Sequence, residues 1–493
     1  MLAAFGLGLL SALALPPLHA IPVLLLAVPG LLTLLGAQAW MRGAAAIGFW
    51  FGLGHHLIGL YWITEAILIE AARFWWLVPL AVPALSALLA LFIAAPCAIA
   101  WRIPAGWPRV LVFAGAWVGF EFLRQYLGTG FPWNPWGSVW AVPGRLGDVA
   151  LQPMAWVSVH GITLLTILLA ATPLLGRRAM AGGAAVLALW AAFGVWRLQT
   201  PMLPAPDLQA VLVQGNVAQG QKWDRSLVMA IFDRYLALTR QGMVETKGRR
   251  SVVIWPETAS PFLLEQDADA RAAIMDATGG APALVGSVRF DAQRRPRNTL
   301  MALVNAGAPA AEYDKWHLVP FGEYNPSWMP LPIQVVPGGG FAGGDGPATL
   351  RVPGLPPFGP FICYEAIFPA QVVNDADRPE WMVNITNDAW FGNSTGPRQH
   401  LAAARMRAVE EGLPLLRAAN TGITVAIDPF GRELNRIGMG VAGVMVVAVP
   451  GRLPPTPFSR LGLMIPGALA LGALAAGLLL ARSQSDIQVR IRR

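Results

Sequence analysis

Charge is what this chain lacks. Of its 493 residues only 13% are Asp, Glu, Lys or Arg, about half the share usual in a soluble globular domain, and that excludes an ordinary soluble protein. Cysteine is scarcer, with only Cys97 and Cys363. Cys97 lies in a long apolar run and Cys363 outside any, so the two are expected in different phases and not in a disulfide. Lysine is nearly missing: Lys222, Lys247 and Lys315 are the three among 36 basic residues. In a chain that favours arginine, a retained lysine hints that an amine is wanted. Acidic residues within the apolar runs form no chain that would relay protons, which weakens a transporter reading. The pair His55-His56 has no companion ligands at metal spacing, and neither a metal nor a cofactor is expected. The net charge of +8 does not argue for nucleic acid, because many arginines sit in short loops between apolar runs.

What is there is hydrophobic: 55% of the residues, with a mean hydropathy of +0.50. The excess is uneven. Residues 1–200 are apolar runs broken by short loops, 207–450 have ordinary globular composition, 459–481 is apolar again and 482–493 is a basic tail. A spanning helix needs about 20 apolar residues. Seven candidates precede the globular part, at 2–17, 20–38, 44–66, 75–100, 109–127, 152–175 and 179–197, and 459–481 is the eighth. The first is short and lacks a basic start, so cleavage as a signal peptide ending near His19-Ala20 is the alternative, and retention is expected because the arginine count works with it. With the N-terminus inside, the inner loops hold Arg42, Arg102, Arg109, Arg177 and Arg178, the tail holds Arg482, Arg490, Arg492 and Arg493, and the outer loops only Arg73, Arg124 and Arg145. The positive-inside rule then puts both termini in the cytoplasm and 207–450 outside it. The aromatic segment 131–140 is expected in the headgroup layer, or as a loop packed on the globular domain. Glu121 and Arg124, spaced i, i+3, are expected to pair.

From 208 on, short apolar strands alternate with amphipathic helices, which argues for an α/β domain. Strands are expected at 208–213, 251–255, 281–289, 299–305, 358–363, 381–386, 423–427 and 443–448. Helices are expected at 225–241, 266–277, 366–373 and 397–412. Three strand ends carry reactive groups. Phe361-Ile-Cys-Tyr-Glu365 brings Cys363 to the end of a buried strand, where α/β proteins expose functional side chains. A free cysteine is more often a small buried hydrophobe, but its companions argue otherwise. Val252-Val-Ile-Trp-Pro256 feeds Glu257, and Pro256 ends the strand there. Burial by that apolar strand is expected to raise the Glu257 pKa towards that of a useful base. Lys315 opens a loop that runs to Glu323 and Tyr324. Thiol, carboxylate and ammonium together supply a nucleophile, a base and an oxyanion stabiliser. Glu323 either orients Lys315 or acts directly, and Glu365 has the same two readings. His317 offers a Cys–His dyad but ranks below Glu257 as base. The turn Asn387–Gly392 either packs beside Cys363 or is an Asx-type turn. The Pro- and Gly-rich stretch 325–345 reads as a lid with apolar tips at Trp328, Met329, Leu331 and Phe341.

Together, WPETA around Glu257, HLVPFGEY after Lys315, ICYE around Cys363 and the Gly215-Asn216…Lys222-Trp223-Asp224 stretch resemble the carbon–nitrogen hydrolase (nitrilase) superfamily, with its Glu-Lys-Cys triad. With apolar helices on both sides, nearly all of the chain resembles the apolipoprotein N-acyltransferases of Gram-negative bacteria. The resemblance implies a polytopic helical membrane domain of eight spans bearing a nitrilase-like αββα sandwich on the periplasmic side of the inner membrane. It implies catalytic Glu257, Lys315 and Cys363, with Trp223, Glu323, Tyr364 and Glu365 supporting them or binding substrate. The implied reaction takes an acyl chain from a phospholipid, with phosphatidylethanolamine the expected donor, onto Cys363 as a thioester. It then passes the chain to the α-amine of an S-diacylglyceryl-cysteine at a lipoprotein N-terminus. The lid and outer helices would form a dry cleft that favours amine over water. A membrane-tethered amidase with the same triad is the alternative.

Overall fold

The computed structural model describes residues 1–222, 224–326 and 340–491, with side chains as far as 484. The chain divides into two compact units, Met1–Gln199 with Leu461–Arg493, and Thr200–Arg460.

The first unit is helical. By length and composition three of its helices can cross a membrane, Ala71–Ala100, Arg177–Arg197 and Met464–Gln484, and a fourth crossing counts Arg145–Leu151 with Met154–Ala170 across a 92° bend. Leu2–Ala12 and Ile21–Gly36 are shorter apolar helices. Small residues bring helices close, as membrane helices require: a Cβ on Gly52 would lie 2.8 Å from the Ala90 Cα of the facing helix. Two expectations change here. Glu121 pairs not with Arg124 but with His160, whose Nδ1 lies 2.9 Å from its carboxylate. The Trp136 N–H donates to the same carboxylate at 3.1 Å. The segment 131–140 is correspondingly drawn into this helical unit, with Trp133 and Trp136 buried, instead of presenting its indoles to a headgroup layer. A buried carboxylate must find donors, and the tryptophan backbone is one of them. His55 is likewise taken into polar packing, its Nδ1 2.8 Å from the Ser11 hydroxyl.

Among its described residues the second unit holds eleven strands: β1 (Gln209–Gln214), β2 (Ser251–Ile254), β3 (Ala283–Phe290), β4 (Pro296–Leu303), β5 (Ala311–Asp314), β6 (Phe358–Ile362), β7 (Trp381–Thr386), β8 (Leu415–Ala419), β9 (Thr424–Ile427), β10 (Glu433–Ile437) and β11 (Gly443–Ala448). They form two sheets, ordered β11-β1-β2-β3-β4-β5 and β10-β9-β8-β7-β6. β1, β2 and β3 run parallel, as do β6, β7 and β8, while the outer pairs are antiparallel. Side-chain alternation assigns the layers. Leu212, Ile254 and Leu284 of one sheet share a core with Ile362, Val383 and Leu416 of the other. Val211, Val213 and Val253 turn the opposite way, onto Phe232 and Tyr235 of the Val228–Glu245 helix and Ile274 of the Ala268–Ala277 helix. Phe361, Met382 and Leu415 pack outward on Leu401, Ala404 and Ala408 of the Gly396–Glu411 helix. The result is a four-layer αββα sandwich.

β5, β8 and β10 were not expected from the sequence. The helix expected at 366–373 is instead one short turn of 3₁₀ helix, Cys363–Ile367. Pro369 explains the stop, since the residue before a proline is pushed out of the helical region, and Phe368 is extended at φ −95°, ψ 103°.

Candidate active site

Each reactive group stands where a strand ends. β2 stops at Ile254, and Trp255-Pro256 carry the chain into a tight turn in which Thr258 has φ +45°. This turn lies directly on β3. A Cβ on Gly286 would meet the Pro256 carbonyl oxygen at 2.1 Å and the Thr258 nitrogen at 2.6 Å, so only glycine lets the strand pass. Glu257 is thereby held at 5% exposure. Lys315 follows β5, its N–H donating to the Asn298 carbonyl at 2.8 Å, and its side chain is 1% exposed. Cys363 follows β6 with φ +51°. A left-handed backbone is costly for a residue with a Cβ, and such strain gathers at functional sites.

The side chains converge. The Lys315 ammonium lies 3.3 Å from Glu257 Oε1 and 2.8 Å from Glu323 Oε1. The Asn298 amide donates to both carboxylates, at 2.6 and 3.1 Å. The other Glu257 oxygen accepts the Asn387 N–H at 2.7 Å, and the Cys363 thiol lies close enough to this carboxylate for each to shift the other's pKa. Glu323 Oε2 accepts the Val319 N–H at 2.7 Å, tying down its own loop.

Electrostatics contradict one expectation. Burial pushes the Glu257 carboxyl up, but Lys315, Lys222 and the Asn298 and Cys363 hydrogen bonds outweigh it, and the pKa falls below the ordinary carboxylate value. Burial alone would disfavour the Lys315 ammonium, yet Glu257 and Glu323 raise its pKa well above that of free lysine. Burial and the Glu257 charge push the Cys363 thiol well up, with Lys315 opposing. The resting site therefore holds thiol, carboxylate and ammonium.

Glu365 does not join this cluster by hydrogen bonds. Its carboxylate accepts from Trp316 N–H at 2.7 Å, His317 N–H at 3.3 Å, Ile362 N–H at 2.5 Å and the Tyr313 hydroxyl at 2.9 Å, stitching the loop after Lys315 to the turn at Cys363. Tyr364 is buried and packs edge-on against Phe368. His317 is spent elsewhere: its Nε2 lies 2.6 Å from the Gln371 side-chain oxygen and its ring stacks on Phe368 at 3.8 Å. The turn Asn387–Gly392 does reach the site, through the Asn387 N–H. Phe341 is half-buried, and its N–H donates to the Glu323 carbonyl at 2.7 Å. Trp223 and the lid positions Trp328, Met329 and Leu331 lie outside the described residues.

Two members of the cluster escaped the sequence reading. Lys222 is buried, donates from Nζ to the Glu257 carbonyl at 3.0 Å and to the Thr258 hydroxyl, and is lowered by burial, against the pull of Glu257 and Cys363, to about 8. Its signal was the scarcity of lysine. Asn298 gave only a polar residue in an otherwise apolar strand. The whole set supplies what covalent acyl transfer requires.

Residues 7–172 match the apolipoprotein N-acyltransferase N-terminal domain, and residues 212–457 match the carbon-nitrogen hydrolase family. The chain is similar to an apolipoprotein N-acyltransferase of Rhodopseudomonas palustris, 39% identical over 513 residues that cover 97% of this chain and 94% of the relative. One from Bradyrhizobium diazoefficiens is 40% identical over 497 residues, covering 94% and 91%. Among solved structures, an amidase from Nesterenkonia sp. is similar with a TM-score of 0.37 and 18% identity, covering 52% of this chain and 94% of the amidase.

Proposed function

The chain belongs to the apolipoprotein N-acyltransferase family, and from that premise we propose that its αββα unit moves an acyl chain from a phospholipid, through a thioester on Cys363, to the α-amine of a lipoprotein's N-terminal S-diacylglyceryl-cysteine. It is an acyltransferase of a membrane protein family, with lipoproteins and phospholipids as its substrates.

The observation that carries the mechanism is the convergence on Glu257, whose carboxylate lies 3.3 Å from the Lys315 ammonium and close enough to the Cys363 thiol to push its pKa up. Glu257 takes the thiol proton as Cys363 Sγ attacks the ester carbonyl carbon. The C–S bond forms, and the developing oxyanion is stabilised by Lys315 and the backbone N–H groups of the turn. Collapse breaks the ester C–O bond, and protonated Glu257 returns its proton to the departing lysophospholipid alkoxide. A carboxyl with a lowered pKa is a modest base but a strong acid, which suits the difficult leaving group. In the second half-reaction the amine attacks the thioester, Glu257 accepts its proton, and the thiol is released. Glu323 holds Lys315 in place, Glu365 fixes the loop that carries it, and Tyr364 and Trp223 support the site or bind substrate. Phosphatidylethanolamine is the donor. Eight spans seat the protein in the inner membrane, with residues 207–450 in the periplasm and the basic tail inside, as the arginine asymmetry favours.

The test supplies phospholipid bearing a labelled acyl chain to the reconstituted protein and follows label by mass spectrometry. Without acceptor, label should remain on Cys363 for many turnover times; with a diacylglyceryl-cysteine peptide it should move to the peptide amine. Rapid release of free fatty acid in both cases would favour an amidase-like hydrolase.

A further inference from the structure

Beside Cys363 lies a second cluster that the mechanism above does not use. His400, on the Gly396–Glu411 helix, is fully buried. Its Nε2 lies 2.8 Å from the carbonyl oxygen of Cys363. A carbonyl oxygen only accepts, so Nε2 carries its proton and donates. Nδ1 lies 2.9 Å from Asp388 Oδ1 and 3.2 Å from Arg417 Nη2. Asp388 is held in turn by the Thr386 hydroxyl at 3.0 Å and by Arg417 at 2.8 Å, and Arg417 also donates to the Asn384 side-chain oxygen. Thr386 and Asn384 belong to β7 and Arg417 to β8, so the imidazole is braced by the sheet that ends in Cys363. The Phe391 ring closes the remaining side edge-on at 6.0 Å. Burial pushes the Asp388 carboxyl up, but Arg417 and His400 outweigh it and bring it down to about 2, so the brace stays charged.

The peptide joining Cys363 to Tyr364 is trans, which sets its C=O and N–H in opposite directions. With the carbonyl fixed on His400 in the outer layer, the Tyr364 N–H is turned inward, towards the sheet that delivers Lys315 and Glu257. A backbone N–H immediately after a nucleophile, opposite an ammonium, is where a tetrahedral oxyanion finds its donors. The left-handed Cys363, at φ +51°, opens the 3₁₀ turn Cys363–Ile367. The carbonyl bond to His400 adds a hold on that peptide plane from a distant helix.

We propose that His400 is a positioning residue for acyl transfer: by anchoring the Cys363 carbonyl, it aims the Tyr364 N–H at the oxyanion. Asp388 and Arg417 orient the imidazole and touch no substrate. The inference rests on Cys363 being the acylated nucleophile.

The experiment compares His400→Gln with His400→Asn in the full-length reconstituted protein. The glutamine amide nitrogen falls near the Nε2 position and can keep the donor; the asparagine amide falls near Nδ1 and cannot. Three quantities are read: the rate of acyl-enzyme formation from labelled phospholipid, the KM for that phospholipid, and the alkylation rate of Cys363 by iodoacetamide. His400→Asn should slow acylation about 10²-fold, the size of one lost oxyanion donor, with KM and alkylation within about threefold of the parent. His400→Gln should recover at least about tenfold of that loss. Acylation by His400→Asn at the parental rate overturns the proposal. So does a parallel fall in alkylation and acylation, which is what a merely structural histidine would give, or a glutamine variant no better than asparagine. Should the parent itself never carry label on Cys363, the thioester reading fails; label on the parent with an unimpaired asparagine variant refutes the role of His400 alone.

Discussion

Replacing Lys315 by methionine keeps the length of the side chain and removes its charge. In the native site that charge lies 3.3 Å from Glu257 and 2.8 Å from Glu323, two carboxylates that also share the Asn298 amide. Without the ammonium, the buried Glu257 and the partly buried Glu323 face each other across the neutral Asn298 amide, with Lys222 the one cation left to offset Glu257. Breaking a buried pair in this way costs about 3–5 kcal/mol, and the site can relieve part of it by binding a proton between the carboxylates. The loss is therefore double. The oxyanion loses a charged donor, worth about 10²–10³ in rate, and the base is protonated at neutral pH. Acyl-enzyme formation should fall by more than the donor term alone.

Proton uptake gives this reasoning a sign that can be checked. In the parent, Glu257 has a lowered pKa, so its contribution to stability is present at neutral pH and is lost only as pH falls through that value. In Lys315→Met the paired carboxyls are raised, so their contribution is present at low pH and lost as pH rises through the new value. Glu411, pushed up by burial to about 7, tilts the two proteins alike and cancels in the difference, whereas Glu365, raised by burial to about 7 and partly held down by Lys315, rises further in the variant and tilts it in the same direction as the paired carboxyls. Thermal unfolding of both proteins at several pH values between about 5 and 8 should show the variant losing ground steadily as pH rises, each unit of pKa shift being worth about 1.4 kcal/mol. Adding Glu323→Gln should restore stability without restoring acylation. A variant whose deficit is independent of pH, or is untouched by Glu323→Gln, would refute the shared-charge account.

Glu257→Gln should abolish acyl-enzyme formation, read by mass spectrometry, while phospholipid still binds; near-normal acylation would show that another group takes the thiol proton. Burial brings Lys222 down to about 8, and its charge lowers the Glu257 pKa and so strengthens Glu257 as the acid that protonates the leaving alkoxide; with that proton return limiting, the acylation rate should fall as pH rises through about 8. In Lys222→Met the rate should be lower throughout and this limb absent from the pH profile. Gly286→Ala should force β3 away from the Pro256 carbonyl, 2.1 Å from the new methyl position, at about 1–3 kcal/mol of stability by thermal unfolding. Acylation should fall further than that destabilisation alone explains.

Glu257 and Cys363 were legible because each follows a short apolar strand, and strand ends in α/β folds converge on one rim; Lys315 follows Ala-Glu-Tyr-Asp of β5, which is not apolar, and was legible as a rare lysine near Glu323. Local pattern carries that much. It does not carry what one side chain does to another across the sandwich. Glu257 looked like a carboxyl that burial would raise, and it is lowered because Asn298, Lys222 and Lys315 reach it from three separate segments. Glu121 looked paired with Arg124, one helical turn away, and it went instead to His160, 39 residues on. β8 was missed because Arg417 interrupts its apolar run, and that arginine is buried because Asp388 and Asn384 receive it. In each case the misread residue is a buried charge, whose position is decided by a partner distant in sequence and not by its own neighbours. The scarcity of lysine was the exception, a signal in composition that needed no partner. Two of the three lysines, Lys222 and Lys315, lie buried against the same carboxylate residue. Arginine's broad, rigid fork would fit poorly in so small a space, where a compact point charge is required.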